Sequence, residues 1–249
     1  MPQQRRNARE AQKGEVPNVE SGCIIMASGA ASRFGSNKLL AALDGVPLIE
    51  HVIRATEGLF AQRVVVTRSA DVAAVCRALG ARAVLHDKPL RSDTVRLGMQ
   101  ALGCDGGAQQ RTTVSLAEPM ASSTQTIGHD GTAHPVAQPP IGCDTVTFFQ
   151  ADQPLISANS IAALLSAADR DPQAIWRTNF AGTPGAPVLF PAWTFDELLR
   201  LPAGKGGGYV ARAHQDRVHC IEVASTWELF DVDTPDDLRI LQQHLNSCR

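Results

Sequence analysis

Short apolar runs typical of buried strands alternate along the chain with segments whose apolar residues recur at helical spacing. Strands are predicted for GCIIMA (22–27), RVVVT (63–67), ARAVLH (81–86) and TVTFFQA (145–151). Helices are predicted for PLIEHVIRATEGL, ADVAAVCRALG, SDTVRLGMQALG and SIAALLSAADR. This β-α-β-α-β order is typical of a mostly parallel sheet with helices on both faces. In such sheets ligands bind at loops that leave the carboxyl ends of the strands.

Residues that favour helix ends mark the limits of two helices. Ser92 or Asp93 is expected to cap the start of the third predicted helix, and Gly103 is expected to end it. Near the end of the chain, Thr234 is a favourable N-cap and Pro235 suits the first helical position. A last helix is therefore expected to begin there.

The chain divides into three parts by composition. Residues 1–21 are polar and mixed in charge, which predicts a disordered leader rather than a signal peptide. Residues 104–143 are rich in Gly, Pro, Ser, Thr and Gln, and we interpret them as a flexible insertion because loops that long are uncommon in compact domains. Residues 22–249 are expected to form a single domain around it. Cys104 and Cys143, which flank the insertion, could pair on oxidation, but in a reducing compartment we expect two unrelated thiols.

Composition and charge exclude several classes of protein. No apolar run approaches the roughly 20 residues that cross a bilayer, so we expect a cytoplasmic protein without a membrane partner. The formal net charge of −2 gives no basic surface for nucleic acid, which is not expected as a partner. The cysteines include no C-x-x-C pair, which argues against a zinc or redox motif.

The loop after the first predicted strand combines small residues with two cations. Small residues let backbone N–H groups approach an anion, while Arg33 offers a planar fork and Lys38 a compact charge. The spacing of Gly29, Gly35 and Lys38 fits neither the P-loop nor the dinucleotide-binding motif. On chemistry alone, a phosphate-binding loop and a flexible loop with two solvated cations both stay open.

Carboxylates at two places in the sequence suggest a metal site. Asp152 follows the fourth predicted strand, where it could form a turn, cap a helix or bind a metal, although Ser157 or Asn159 can cap that helix. Asp231 and Asp233 are two residues apart in a strand-like segment, so both are expected to point to one side. Two carboxylates held together favour a neighbouring cation.

Three sequence blocks, taken together and in order, resemble one family. ASGAASRFGSNKLL (27–40) is similar to the signature A-A-G-x-S-x-R-x-G-x-x-K-L, FFQADQPLIS (148–157) to a G-D-Q-P block, and LFDVDTPDDLRIL (229–241) to a D-I-D-T-P-E-D-L ending. This pattern resembles the MobA-like NTP transferase family, and within it most closely the molybdenum-cofactor cytidylyltransferases. The likeness covers about residues 22–245 apart from the insertion. It implies an α/β, Rossmann-like nucleotidyltransferase fold.

The resemblance also implies roles for residues on the nucleotide side. The first loop is expected to wrap the triphosphate, with Arg33, Lys38 and Asp152 as the catalytic residues. Mg²⁺ is expected to be held by Asp152 and one of Asp231 and Asp233, of which Asp231 is preferred. The expected nucleotide-binding residues are Ala27, Ser28, Gly29, Ala30, Arg33, Gly35, Lys38, Ser92 and Asp152.

Two further blocks resemble the acceptor half of the family's pocket. FAGTPGAPVLF (180–190) is similar to G-x-P-G-H-P-V, and LLRLPAGKGGGYVARA (198–213) to L-x-G-D-x-G-A-R. The implied acceptor-binding residues are Gly185, Ala186, Pro187, Gly204, Lys205 and Gly206. Ala186 replaces the family's histidine and Lys205 its acid, so the acceptor is less firmly implied than the chemistry. A flexible turn before a helix is an equally open interpretation of the glycine-rich segment.

The function implied by the resemblance is transfer of NMP from an NTP to a small phosphorylated acceptor, with release of pyrophosphate. The closest likeness implies CTP as donor, molybdopterin or the molybdenum cofactor as acceptor, and a molybdoenzyme or its maturation factor as a partner. One alternative is transfer to another small phosphate, such as a sugar phosphate, methylerythritol phosphate or phospholactate. Another is a non-catalytic accessory protein that delivers the cofactor.

Overall fold

The computed structural model describes residues 20–29, 34, 37–104 and 143–249. Within them, seven strands form one sheet in the order β5-β4-β1-β6-β8-β7-β9. Its strands are β1 (Ser21–Ala27), β4 (Gln62–Thr67), β5 (Arg82–Leu85), β6 (Thr145–Gln150), β7 (Ile175–Phe180), β8 (Thr183–Pro191) and β9 (Val218–Glu222), and β2 (Ala42–Leu43) pairs with β3 (Val46–Pro47) in a separate hairpin. Only β8 is antiparallel to its neighbours in the described sheet, and the mostly parallel α/β fold predicted from the sequence is confirmed.

Helices cover both faces of the sheet. They are α1 (Leu48–Ala55), α2 (Ala70–Ala78), α3 (Arg91–Ala101), α4 (Ala158–Arg170), α5 (Phe195–Leu199), α6 (Gly208–Ala213) and α7 (Pro235–Ser247). Because successive side chains of a strand point to opposite faces, Cys23 and Ile25 of β1 pack with α1, α2 and α4, whereas Ile24 packs with α3, α5 and α6. Because these strands are parallel, their carboxyl ends meet at one edge of the sheet, which we call the carboxyl edge.

The ends of two helices test the sequence predictions. Thr234 and Asp237 form a capping box at the start of α7, and Pro235 is its first residue, as predicted. The prediction that Ser92 or Asp93 caps α3 is wrong, because the helix begins at Arg91. The Ser92 hydroxyl is instead buried and accepts a hydrogen bond from Gly204 N at 3.3 Å.

The two cysteines that flank residues 105–142 lie side by side. Cys104 Sγ and Cys143 Sγ are 2.8 Å apart, and no disulfide joins these two residues. The two residues are thus neighbours rather than unrelated, because the end of α3 and the segment before β6 bring them together, while the expectation that they form no disulfide agrees with the structure. The proposed leader, up to residue 19, and the interior of the proposed insertion lie outside the described residues. No helix in the described part of the chain is long and apolar enough to span a membrane.

Candidate active site

Lys38 lies between two carboxylates at the carboxyl edge. It begins a 3₁₀ turn (Lys38–Leu40) that the Asn37 side chain caps. Its Nζ atom is 2.7 Å from Asp152 Oδ2 and 2.7 Å from Asp233 Oδ1, and the residue is only 6% exposed. Burial opposes the charge, but the hydrogen bonds to both carboxylates outweigh it and raise the pKa of Lys38. Lys38 is therefore an ammonium shared by the two carboxylates.

A backbone hydrogen bond joins the segments that carry these carboxylates. Val232 N donates to Asp152 O at 2.9 Å, and the Val232 side chain is fully buried in a core with Leu241 of α7. Asp231 and Asp233 flank Val232, and both line one cavity. The shared side predicted for them is therefore present, but the predicted strand is not, since residues 231–233 belong to no strand.

The start of α7 holds Asp233 in place. The Asp237 carboxylate accepts hydrogen bonds from Asp233 N at 3.1 Å and from Thr234 N at 2.8 Å. Thr234 Oγ1 in turn accepts from Asp237 N at 3.2 Å, which completes the capping box. The capping box thus fixes the backbone that presents Asp233 to Lys38.

Asp231 lies beside the ion pair rather than within it. Desolvation of its carboxyl, together with the nearby Asp152 carboxylate, raises the pKa of Asp231 to about 6, although much of the residue is exposed. On sequence grounds Asp231 was the preferred metal ligand, whereas Lys38 links Asp152 to Asp233. Which of the two binds metal stays a prediction.

The carboxylate pair can be tested for its fit to a divalent cation. In the part of the chain that the structure describes, no three Asp, Glu, His or Cys side chains converge as a ligand set. Mg²⁺ usually takes only one or two carboxylates and completes its shell with water and phosphate oxygens. Asp152 and Asp233 offer hard oxygen ligands to one point, which is occupied by the Lys38 ammonium. The donor set fits Mg²⁺, provided that Lys38 moves aside.

A cavity of about 190 Å³, which we call the edge cavity, opens at the carboxyl edge beside the start of α3. Four predicted nucleotide-binding residues line it: Ser28, Gly29, Lys38 and Asp152. Ala27 and Ser92 do not line it, because both are buried beneath the surface. The other three predicted residues, Ala30, Arg33 and Gly35, lie outside the described residues.

The edge cavity also contains cations that sequence reasoning missed. Arg68 and Arg91 line it, and Arg68 Nε donates to Ser28 O at 3.1 Å. Arg68 directly follows β4, so its place at the carboxyl end of a predicted strand could have identified it. Arg91 had no such signal, because α3 was expected to start after it.

The Ser28 side chain forms a hydrogen bond with His86, the residue that follows β5. Ser28 Oγ is 2.8 Å from His86 Nε2 and donates to Val66 O at 3.0 Å. Lys88 N donates to His86 Nδ1 at 3.2 Å, so Nδ1 carries no proton and Nε2 is the donor to Ser28. The Ser28 hydroxyl thus ties the first loop to the segment after β5.

The predicted acceptor-binding residues occupy two places. Gly204 and Gly206 lie against the start of α3, where a Cβ on Gly206 would come within 2.8 Å of Arg91 Cδ. Lys205 between them is exposed. Gly185, Ala186 and Pro187 belong to β8, and a Cβ on Gly185 would come within 2.8 Å of Leu229. The structure therefore brings the glycine-rich loop, but not the β8 residues, to the helix beside the edge cavity.

A second cavity, of about 420 Å³, lies on the other side of the carboxylates. Its lining includes Leu229, Asp231, Asp233 and Asp237, together with residues of the β7–β8 turn. The ion pair formed by Lys38, Asp152 and Asp233 therefore has one carboxylate in each cavity. The two cavities thus lie on either side of one candidate cation site.

The sequence of the described site and fold matches a known family. A family model for the MobA-like NTP transferase domain matches residues 23–218. The chain belongs to the MobA-like NTP transferase family. Its members are nucleotidyltransferases, and the matched residues include Lys38 and Asp152. No match is found among curated protein sequences.

Three solved structures share the fold of this MobA-like protein. A nucleotidyl transferase from Methanothermobacter thermautotrophicus is 19% identical, with a TM-score of 0.67 over 93% of this chain and 100% of that chain. The Mycobacterium tuberculosis protein Rv0371c in complex with manganese is 18% identical, with a TM-score of 0.59 over 90% of this chain and 98% of that one. A CMP:2-keto-3-deoxy-manno-octonic acid synthetase complexed with CTP is 15% identical, with a TM-score of 0.62 over 92% and 100%. At these identities the likeness shows the fold alone.

Proposed function

We propose that this nucleotidyltransferase transfers CMP from CTP to the molybdenum cofactor, with Mg²⁺ bound, and releases pyrophosphate. The observation that carries the proposal is the pair of carboxylates, Asp152 and Asp233, converging on one cation position between two cavities. The acceptor and the base are proposed from the likeness of the sequence blocks to molybdenum-cofactor cytidylyltransferases. The proposal includes a cytoplasmic location and a single catalytic domain over residues 22–249.

In this proposal, CTP binds in the edge cavity. Transfer of a phosphorus group needs little covalent help from a protein and depends on positioning and charge neutralisation. Backbone N–H groups near Ser28 and Gly29 and the cations Arg33 and Arg68 are assigned to the triphosphate, and Arg68 lines that cavity. Once Lys38 leaves the carboxylates, its ammonium joins these cations at the triphosphate. There it neutralises charge on the departing pyrophosphate.

Mg²⁺ is assigned to Asp152 and Asp233, with Asp231 as the other candidate ligand. When bound, the ion supplies Lewis-acid stabilisation of the phosphate oxygens. A divalent site is also supported by the M. tuberculosis protein of this fold that was solved with manganese. The fold of the CTP-bound synthetase likewise supports a pyrimidine nucleotide as donor.

The substrate assignment is tested by competition. Pyrophosphate release is measured with Mg²⁺ and the molybdenum cofactor while CTP, GTP, ATP and UTP compete at equal concentration. The proposal expects the nucleotide covalently attached to the product to be CMP, as identified by mass spectrometry. Transfer of another nucleotide, or transfer only to a sugar phosphate or methylerythritol phosphate, would replace the proposed donor or acceptor. Nucleotide binding without release for any acceptor would favour the accessory-protein alternative.

A further inference from the structure

Arg177, in the middle of β7, is a half-buried cation whose charge no carboxylate compensates in the described part of the chain. Its Nη2 donates to Gly185 O at 3.0 Å. Its Nε is buried and has no hydrogen-bond partner among the described residues. Burial lowers the pKa of Arg177. A guanidinium in this setting lacks the anion that buried arginines usually bind.

Strand register places Arg177 on the face of the sheet that carries the edge cavity. Arg177 pairs with Val188 of β8, and Val188 pairs with Phe148 of β6. Phe148 lies two residues before Gln150, which lines the edge cavity, so all four side chains are on one face. Two inter-strand spacings, about 10 Å, separate β7 from β6. Arg177 does not line the edge cavity itself, so a ligand that contacts it lies beside the nucleotide that we assign to that cavity.

The second cavity and the surroundings of Arg177 carry opposite charges. The second cavity contributes Asp231, Asp233 and Asp237, which repel an anionic acceptor. Arg177 contacts the carbonyl of Gly185, a predicted acceptor-binding residue. An anion that binds away from the carboxylates can therefore bind the Arg177 guanidinium, which lies beside β8.

We propose that Arg177 binds an oxyanion of the acceptor, a phosphate or a carboxylate. The inference rests on the proposed function, since it assumes an acceptor on this side of the carboxylates. Arg177 is then a binding residue, and its unpaired N–H and uncompensated charge are retained because the ligand completes them.

The kinetic test compares Arg177→Met with Arg200→Met in the full-length chain. Arg200, at the end of α5, is 79% exposed at its side chain and pairs at the surface with Asp196. With Mg²⁺, CTP and the molybdenum cofactor, Arg177→Met is expected to raise the KM of the acceptor about 10- to 100-fold, as for loss of a charge-assisted hydrogen bond. The KM of CTP is expected to stay within about twofold, and Arg200→Met to change neither constant.

Thermal unfolding separates binding from a structural role. Removing an uncompensated half-buried charge is expected to leave the Tm of Arg177→Met unchanged or raised. A lowered Tm together with an unchanged KM for the acceptor would show that Arg177 supports the fold and would overturn the inference.

A titration keeps this result distinct from failure of the proposed function. Inorganic phosphate and acetate are titrated calorimetrically into the chain saturated with Mg²⁺ and CTP, without any acceptor. Loss of phosphate or acetate binding in Arg177→Met, but not in Arg200→Met, supports the oxyanion site even if the molybdenum cofactor proves not to be the acceptor, and the anion that binds tells phosphate from carboxylate. Equal binding by both variants and the unaltered chain overturns the inference even if cytidylyl transfer is observed.

Discussion

Lys38 neutralises two carboxylates that otherwise face each other across the carboxyl edge. We predict that Lys38→Met lowers the free energy of unfolding in metal-free buffer by about 1–3 kcal/mol, a range kept low because Asp233 is largely exposed. Added Mg²⁺ is expected to restore much of this loss in the variant, because a divalent cation replaces the ammonium. Urea unfolding with and without Mg²⁺ measures both effects.

Lys88→Met is the matched control for this prediction. Lys88 is exposed and lies outside the carboxylate pair, so its replacement is expected to change stability by less than about 0.5 kcal/mol, with no dependence on Mg²⁺. Equal behaviour of the two variants would contradict a shared cation position at Asp152 and Asp233.

His86 makes stability depend on pH near neutrality. Burial, followed by the Arg68 charge, lowers the pKa of His86 below its ordinary value of 6.5. At a pH between the pKa of His86 in the folded chain and its higher pKa in the unfolded chain, the unfolded chain binds more protons. The His86 contribution to stability is therefore lost as pH falls from about 7 towards 5. His86→Gln is expected to flatten the slope of unfolding free energy against pH in this range. An unchanged slope would show that folding does not lower the pKa of His86.

Sequence chemistry identified the carboxylates but not their partner. The metal ligands predicted from the sequence were Asp152, Asp231 and Asp233. Asp231 was preferred to Asp233, whereas Asp233 is the one that contacts Lys38. Lys38 was assigned to phosphate, and its contact with the carboxylates depends on Val232 tying the two segments together, which no local pattern reveals. Sequence patterns contain no sign of Arg177 for the same reason, since the lack of a hydrogen-bond partner for its Nε among the described residues depends on its neighbours in space.

At the scale of secondary-structure elements, the start of α7 links stability to the site. Thr234→Ala removes the capping hydroxyl and is expected to lower the free energy of unfolding by about 1 kcal/mol. It is also expected to reduce the rate of transfer, because Asp233 immediately precedes the cap. Ser69→Ala removes the equivalent cap of α2, which accepts from Val72 N at 3.3 Å, and serves as the control. A similar stability loss in both variants, with reduced activity in Thr234→Ala alone, is the predicted result. Equal activity would mean that the cap does not position Asp233.

Periodicity and capping chemistry predicted most elements but not every boundary. Hydrophobic spacing identified β1, β4, β5, β6 and their helices, and Thr234–Pro235 fixed the start of α7. The start of α3 was misplaced because Ser92 is a favourable cap in sequence, yet its hydroxyl bonds Gly204, which is 112 positions away along the chain. Long-range hydrogen bonds of this kind determine whether a serine caps a helix or lies buried within it.

At the scale of the whole molecule, close packing of α3 on β1 sets the position of the edge cavity. A Cβ on Gly98 would come within 2.7 Å of Ile24 Cγ2, so Gly98→Ala must push the helix from the sheet. We predict a loss of about 1–3 kcal/mol in the free energy of unfolding and a raised KM for CTP, since Arg91 moves with α3. Gly208→Ala meets no atom closer than 3.6 Å and is expected to leave stability unchanged or raised. A stable Gly98→Ala variant with unaltered KM would contradict this packing argument.

The overall architecture followed from the order of elements, whereas the shape of the site did not. Alternation of apolar strands and amphipathic helices is sufficient to indicate a mostly parallel sheet with ligands at its carboxyl edge. The antiparallel β8 and the pairing of β9 with β7 could not be read from periodicity, because register and strand order depend on contacts between distant segments. These same strands carry the residues of the proposed acceptor side, including Arg177.

Acceptor-dependent pyrophosphate release is the measurement that tests the central claim most directly. It is made with CTP, the molybdenum cofactor and Mg²⁺ for the unaltered chain, Asp152→Asn and Asp236→Asn, the last being an exposed residue in the first turn of α7. We predict release by the unaltered chain and by Asp236→Asn, and a loss of about 10²-fold or more for Asp152→Asn with its fold intact. Release by a folded Asp152→Asn at the unaltered rate would contradict a catalytic cation held between Asp152 and Asp233.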